Sequence, residues 1–160
     1  LHEAIERAPL VWSEIQATFA AQFGRALPSP IVGYRLDDAD VALVSMGTTA
    51  STARGVVNRL REQGIRAGSL RITMIRPFPG EAIRQALASV AKVAVIDRNL
   101  SPGLGGVLWA ELRGATGHPM VQGYIVGIGG GDIRPEHLER VVADVLARPT
   151  CGQPQIVEVA

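Results

Sequence analysis

A chain of 160 residues, 47% of them hydrophobic, suits one globular domain with a proper core. Its net charge of +1 gives no electrostatic case for nucleic acid, and no segment approaches the roughly 18–20 apolar residues of a membrane span. A single cysteine, Cys151, excludes an internal disulfide and any Cys-only metal or iron–sulfur site. No charged-then-apolar leader opens the chain, and it starts at Leu1 rather than Met. The expectation is a cytoplasmic protein that is a fragment or processed piece of something longer.

The first element is helical. Ile5, Ala8, Trp12, Ile15, Phe19 and Phe23 recur every three or four residues, and Gly24 ends the stripe. Pro9 inside it predicts a kink or a helix that starts nearby. "ALPSPIVGYRLDDAD" then reads as an irregular connector. "VALVSM" (41–46) is a strand, and a helix follows from about Ala50 to Gln63, with Thr49 as N-cap and Gly64 as stop. "LRITMI" (70–75) alternates as a half-wet strand, ended by Pro77 and Pro79. A short helix carries Ile83, Leu87 and Val90. "VAVID" is a strand, "SPGLGG" leads into a helix with Val107, Leu108 and Leu112, and "VQGYIVG" is a strand. A last helix starts near Pro135, and "QIVEV" is a candidate edge strand.

Strands alternating with helices predict a three-layer α/β domain with a mainly parallel sheet of about four or five strands. The division is a lead-in helix and connector over 1–40, the α/β domain over 41–148 and a tail over 149–160. Four turns, "GTTAST", "RPFPGE", "RNLSPGLGG" and "GIGGGD", each follow a strand. In a parallel sheet they share one edge, where ligands of such sheets bind.

The chemistry on these turns is sparse. "SPGLGG" has G-x-G-G, not the G-x-G-x-x-G of dinucleotide sites, so its glycines point to close strand–helix packing. "GIGGGD" reads either as an anion nest or as a tight turn that places Asp132 near the last helix's cap. Asp37, Asp38 and Asp40 read as a solvated charge cluster rather than a metal site. His2, His118 and His137 are scattered, with no ligand spacing. Trp12 and Trp109 sit at helical spacing, as packing or docking residues. Arg76, Arg98 and Arg134 lie at strand ends or just before a helix, where they could clamp an anion or a partner carboxylate. No catalytic constellation emerges.

Four motifs in order, "MGTTASTA", "RPFPGEAI", "DRNLSPGLGG" and "GIGGGDIRPEHL", resemble the second domain of the α subunit of 2-oxoacid:ferredoxin oxidoreductases, the pyruvate synthase family. The likeness runs to about Leu146. In the last motif family members often carry a charged residue where this chain has Gly130 or Gly131, which leaves the anion-binding reading of that turn open. The resemblance implies the fold of the transketolase C-terminal domain and a non-catalytic assembly role. The complex so implied decarboxylates a 2-oxoacid, pyruvate first, to an acyl-CoA and reduces ferredoxin or flavodoxin. It uses thiamine diphosphate, magnesium, iron–sulfur clusters and coenzyme A, none held by this chain. Partners are then the other domains or subunits, with no nucleic acid and no membrane. Interface residues on this reading are Arg76, Arg98, Asn99, Ser101, Gly103, Gly105, Gly106 and Asp132. Two alternatives stand beside it. One is a free-standing nucleotide-binding α/β module. The other is the C-terminal domain of a transketolase-like or 2-oxoacid dehydrogenase β subunit.

Overall fold

Six strands form one sheet in the order β1-β3-β2-β4-β5-β6 in the computed structural model, which describes residues 1–158. Val159, at the end of the "QIVEV" stretch, and Ala160 lie outside the described residues. The strands are β1 (Ile31–Tyr34), β2 (Val41–Met46), β3 (Ala67–Ile72), β4 (Lys92–Asp97), β5 (Val121–Val126) and β6 (Gln155–Val157). The helices are α1 (His2–Phe23), α2 (Gly47–Glu62), α3 (Gly80–Ala86), α4 (Val107–Thr116) and α5 (Pro135–Ala147). All neighbours pair in parallel except β1, which runs antiparallel to β3.

Two apolar layers sandwich the sheet because its strand residues alternate between them. Ala42, Val44, Leu70, Val93 and Val95 face one side and pack with Ile83 after β3 and with Leu108 and Leu112 of α4. Val41, Leu43, Ala94 and Ile96 face the other and pack with Val56 and Val57 of α2 and Val141 and Val145 of α5. Strands buried on both faces read as continuous apolar runs, which is why β2, β4 and β5 are visible in the sequence.

The sheet has more strands than the expected four or five. β1 lies inside the supposed irregular connector: Pro30 and a run of only four residues hid it, and the backbone of β3 makes it a strand. β6 joins beside β5. The edge strands thus come from both flanking segments. β3 starts three residues earlier than its alternation indicates and ends at Ile72. Its first four residues, Ala67 to Leu70, are buried on both faces and carry no alternation to read. α2 begins at Gly47, so Thr49 lies within its first turn and is not the cap. α1 runs unbroken through Pro9 and has no buried residue. It is tied to the domain by Trp12 Nε1, which donates to Pro28 O at 3.1 Å, and by Gln16 Nε2, which donates to Leu27 O and Pro28 O.

Candidate docking site at the carboxyl edge of the sheet

Parallel pairing brings the ends of β2, β3, β4 and β5 to one edge, so the turns that follow them share it. From β2 the chain crosses outward through α2 to β3, then returns to the other side of β2 as β4. The strand order therefore reverses between β2 and β4, the usual ligand position in an open α/β sheet. A crevice of about 340 Å³ lies there, lined by Met46, Thr48, Thr49, Asp97, Arg98 and Asn99 among others.

The occupant of the neighbouring helix terminus is part of the chain itself. Asp97, the last residue of β4, is only 4% exposed. The amides of Leu108 and Trp109 donate to its Oδ1 and Oδ2 at 2.9 and 3.0 Å, and the amide of Val107 donates to Asn99 Oδ1 at 3.2 Å. These are the first three amides of α4, groups that the helix cannot satisfy internally. The N-cap residue, Gly106, has no side chain to offer, and a Cβ there would lie 2.1 Å from Asp97 Oδ2. The glycine makes room for the carboxylate. Burial pushes the Asp97 carboxyl above its ordinary range, and the two amides and Asn99 pull the other way. The diphosphate of a nucleotide or of thiamine diphosphate does not fit at this terminus, because its anion position is already filled.

The loop between Asn99 and Gly106 is closed on itself. Ser101 N donates to Gly105 O at 2.8 Å, and Gly105 N donates to Ser101 O at 2.9 Å. Gly105 has φ +96°, and a Cβ there would meet Pro154 Cγ at 2.6 Å, so the loop lies directly on the C-terminal segment. Gly103 also lies at positive φ, at the loop's outer end. Leu100 and Leu104 project from this loop, 44% and 49% exposed, and Ile128 projects from the next turn, 45% exposed. Arg98 Nη2 donates to Gly131 O at 3.0 Å and ties the two turns together.

The expected interface residues thus divide. Arg98, Asn99, Ser101, Gly103, Gly105 and Gly106 build one loop, and Asp132 lies exposed at the following turn, 3.6 Å from Arg134. Arg76 is paired instead: its Nη2 donates to Glu111 of α4 at 2.6 Å. Asp132 is not the cap of α5. That terminus starts at Arg134, whose amide donates to His137 Nδ1 at 3.1 Å. His118 is likewise structural, with Nε2 2.8 Å from Val90 O. Asp38 and Asp40 pair with Arg61 and Arg66. Trp109 is buried, and its Nε1 donates to Val121 O at 3.3 Å. Sequence reading missed Asp97 because it looked like the end of an apolar strand. The available signal was an acid closing that strand, followed by a Gly-rich link to a helix start.

The fold, with this edge, defines an α/β domain of the transketolase C-terminal type. The structure of a 2-oxoglutarate:ferredoxin oxidoreductase from Magnetococcus marinus, with 2-oxoglutarate, coenzyme A and succinyl-CoA bound, superposes with a TM-score of 0.62 at 21% identity. That match covers 81% of this chain and 21% of the other. A split-gene transketolase, an inactive β4 tetramer, gives 0.53 at 20% identity, over 72% of this chain and 40% of the other. At the sequence level, residues 39–138 match the family described as pyruvate:ferredoxin oxidoreductase core domain II. The pyruvate synthase subunit PorA of Methanothermobacter thermautotrophicus is 38% identical over 89% of this chain and 37% of its own length. PorA of Thermotoga maritima is 38% identical over 90% and 38%, and the ketoisovalerate oxidoreductase subunit VorA of Pyrococcus abyssi is 34% identical over 91% and 38%. The chain belongs to the pyruvate:ferredoxin oxidoreductase core domain II family. It spans somewhat over a third of the length of these relatives. No helix of the described residues is long and apolar enough to cross a membrane.

Proposed function

We propose that this chain is a non-catalytic docking domain of the α subunit of a 2-oxoacid:ferredoxin oxidoreductase, and that it works in the cytoplasm. The complex oxidatively decarboxylates a 2-oxoacid to an acyl-CoA and passes electrons to ferredoxin or flavodoxin. Pyruvate is the substrate this reading takes first; identity alone does not separate it from ketoisovalerate, since PorA relatives at 34–38% overlap VorA relatives at 34–37%. Thiamine diphosphate, magnesium, iron–sulfur clusters and coenzyme A supply the redox and acyl-transfer chemistry, and other domains hold them. This chain's residues shape and hold the edge that meets those domains.

One observation carries the reading. The helix terminus beside the switch-point crevice is filled by Asp97 and Asn99, while Leu100, Leu104 and Ile128 stand exposed on the turns along the same edge. That edge is prepared for apolar contact with protein rather than for a cofactor phosphate. Arg98 serves the docking role indirectly, by holding the two turns in register through Gly131 O.

The test is the double substitution Leu100→Asp with Leu104→Asp in the assembled enzyme. Exposed side chains away from the core change fold stability by about 0.5 kcal/mol or less. The melting temperature of the 160-residue chain should hold, while recovery of the complex and its 2-oxoacid-dependent ferredoxin reduction fall together. Unchanged assembly and activity in the double variant would rule the docking edge out. Turnover of pyruvate by the chain alone would overturn the non-catalytic assignment.

A further inference from the structure

On the far side of β2 from the crevice, β1, β3 and the first turns of α2 enclose a smaller pocket of about 130 Å³. Val32, Tyr34, Ser51, Arg54, Ser69 and Arg71 line it. Arg71 stands opposite Val32 on β1 and opposite Ser45 on β2, and Ser69 stands opposite Tyr34 and Leu43. Paired residues share a face of a sheet. This face is the one α2 covers, because Leu43 packs with Ala53, Val56 and Val57. α2 contacts β1 at Tyr34, but Arg71 and Val32 remain exposed beside its first turns.

The pocket's charge is one-sided. Seven arginines lie between residues 54 and 84, and five of them, Arg59, Arg61, Arg66, Arg76 and Arg84, are paired with carboxylates. The two that have no carboxylate partner among the described residues are Arg54 and Arg71, and both line this pocket. Among the described residues, no carboxylate lines it. Arg54 is held in place by the Tyr34 ring, with Cζ 4.5 Å from the ring centroid. The Tyr34 hydroxyl in turn donates to Asn58 Oδ1 at 2.8 Å. One strand inward of Arg71 in register, Ser45 is 1% exposed, and its Oγ has no hydrogen-bond partner among the described residues. That hydroxyl shares the pocket's face of the sheet but is not among the groups that line the pocket.

We propose that the Arg54–Arg71 pocket binds a phosphate group. Two arginines lining one pocket favour a doubly charged oxyanion over a monocarboxylate, and a guanidinium's planar fork matches phosphate oxygens in pairs. The hydroxyls of Ser51 and Ser69 can donate to further oxygens. The volume is well below the roughly 300–1,000 Å³ of sites that enclose a drug-sized ligand. The pocket therefore takes one phosphate, either the free ion or the phosphoryl end of a larger molecule lying out along β1.

The chain is titrated at constant ionic strength with inorganic phosphate, with glycerol 3-phosphate and with acetate, followed by calorimetry and by arginine side-chain NMR shifts. Saturable binding of phosphate or of the ester is expected, with the Arg54 and Arg71 signals moving. Arg54→Gln and Arg71→Gln should each weaken it by about tenfold or more. Arg71→Lys, which keeps the charge and loses the fork, should weaken it less. Tighter binding of the ester assigns the site to a phosphorylated ligand, and tighter binding of inorganic phosphate assigns it to the free ion. Absence of saturation, equal binding of acetate, or an affinity indifferent to both Gln variants would overturn the proposal. Equal binding of acetate would instead mark the pocket as a clamp for a partner protein's carboxylate.

Discussion

Asp97 closes the start of α4 by accepting from the amides of Leu108 and Trp109. Asp97→Ala leaves the buried amides of Leu108 and Trp109 without acceptors, and the expected loss is about 2–4 kcal/mol. Asp97→Asn keeps one acceptor but turns an NH₂ group toward the other amide, for a loss of about 1–3 kcal/mol. Gly106→Ala attacks the same contact from the other side, since its methyl would collide with Asp97 Oδ2. The losses of Gly106→Ala and Asp97→Ala should therefore sum to more than the double variant shows in urea denaturation. Simple additivity would mean that the two residues do not share one contact. Asp144 behaves in the opposite electrostatic sense. Arg148 and the Tyr124 hydroxyl both donate to it at 2.6 Å and, with the guanidinium the larger cause, hold its carboxyl below the ordinary aspartate range despite partial burial. A carboxyl depressed in the fold stabilises it above the unfolded-state value, and the contribution fades as pH falls through the folded value. Asp144→Asn should cost about 1 kcal/mol at pH 6 and progressively less below about pH 4, measured by denaturant unfolding at each pH. A cost that is flat with pH would refute the linkage.

Among the elements, α5 shows how one side chain can end a helix. Lys92, the only lysine in the chain, starts β4 and donates from Nζ to Leu146 O and Arg148 O at 2.5 and 2.7 Å. A cation among the last carbonyls of a helix satisfies orphan acceptors and opposes the negative end of the dipole. Lys92→Met keeps the apolar stem and removes the donors. A loss of about 1–2 kcal/mol is expected, with faster amide exchange confined first to the end of α5. A thermal melt unchanged by the substitution would show the contact to be idle. α1 differs from the other long helices. Its stripe was legible as a helix, but nothing in the periodicity said that it would pack against so little of the domain. Among the described residues, its side-chain hydrogen bonds beyond the helix itself reach only the carbonyls of the Leu27–Pro28 stretch in the connector.

At the scale of the whole molecule, the sheet is completed from the chain's flanks. Gln122, fully buried in β5, donates from Nε2 to Gln153 O at 2.9 Å and accepts at Oε1 from Gly152 N at 2.9 Å. This side chain lays the C-terminal segment against β5, and β6 then pairs at Tyr124 to Val126. Gln122→Leu should release β6 and expose its amides to exchange while the central strands β2 and β4 stay protected. Protection of residues 155–157 that survives the substitution would place the anchor elsewhere, Pro154 against Gly105 being the next contact. The Leu100 and Leu104 edge belongs to this scale too, since its expected effect appears only in the assembled enzyme.

The alternating strands and helices, the edge on which the four turns meet and the family were all legible in the residues. Central parallel strands are apolar on both faces, helices between them repeat every three or four residues, and the four turn motifs keep their order. Other features depended on partners distant in sequence. β1 is a strand only because β3 pairs with it, as Gly33 and a run of four residues carry little propensity of their own. Asp97 reads in the sequence as the end of a strand, and only the return of α4 beside β4 makes it a cap. Arg54 and Arg71 are 17 positions apart and look like two more surface arginines among seven. Antiparallel pairing of β1 and the placement of α2 put them in one pocket, and only the folded chain reveals that the other five already have their carboxylates. Local pattern determines which segments become strands and helices. Charge pairing and capping across long loops are decided by tertiary contact, because the energy of a hydrogen bond or ion pair depends on which atoms meet and not on their separation along the chain.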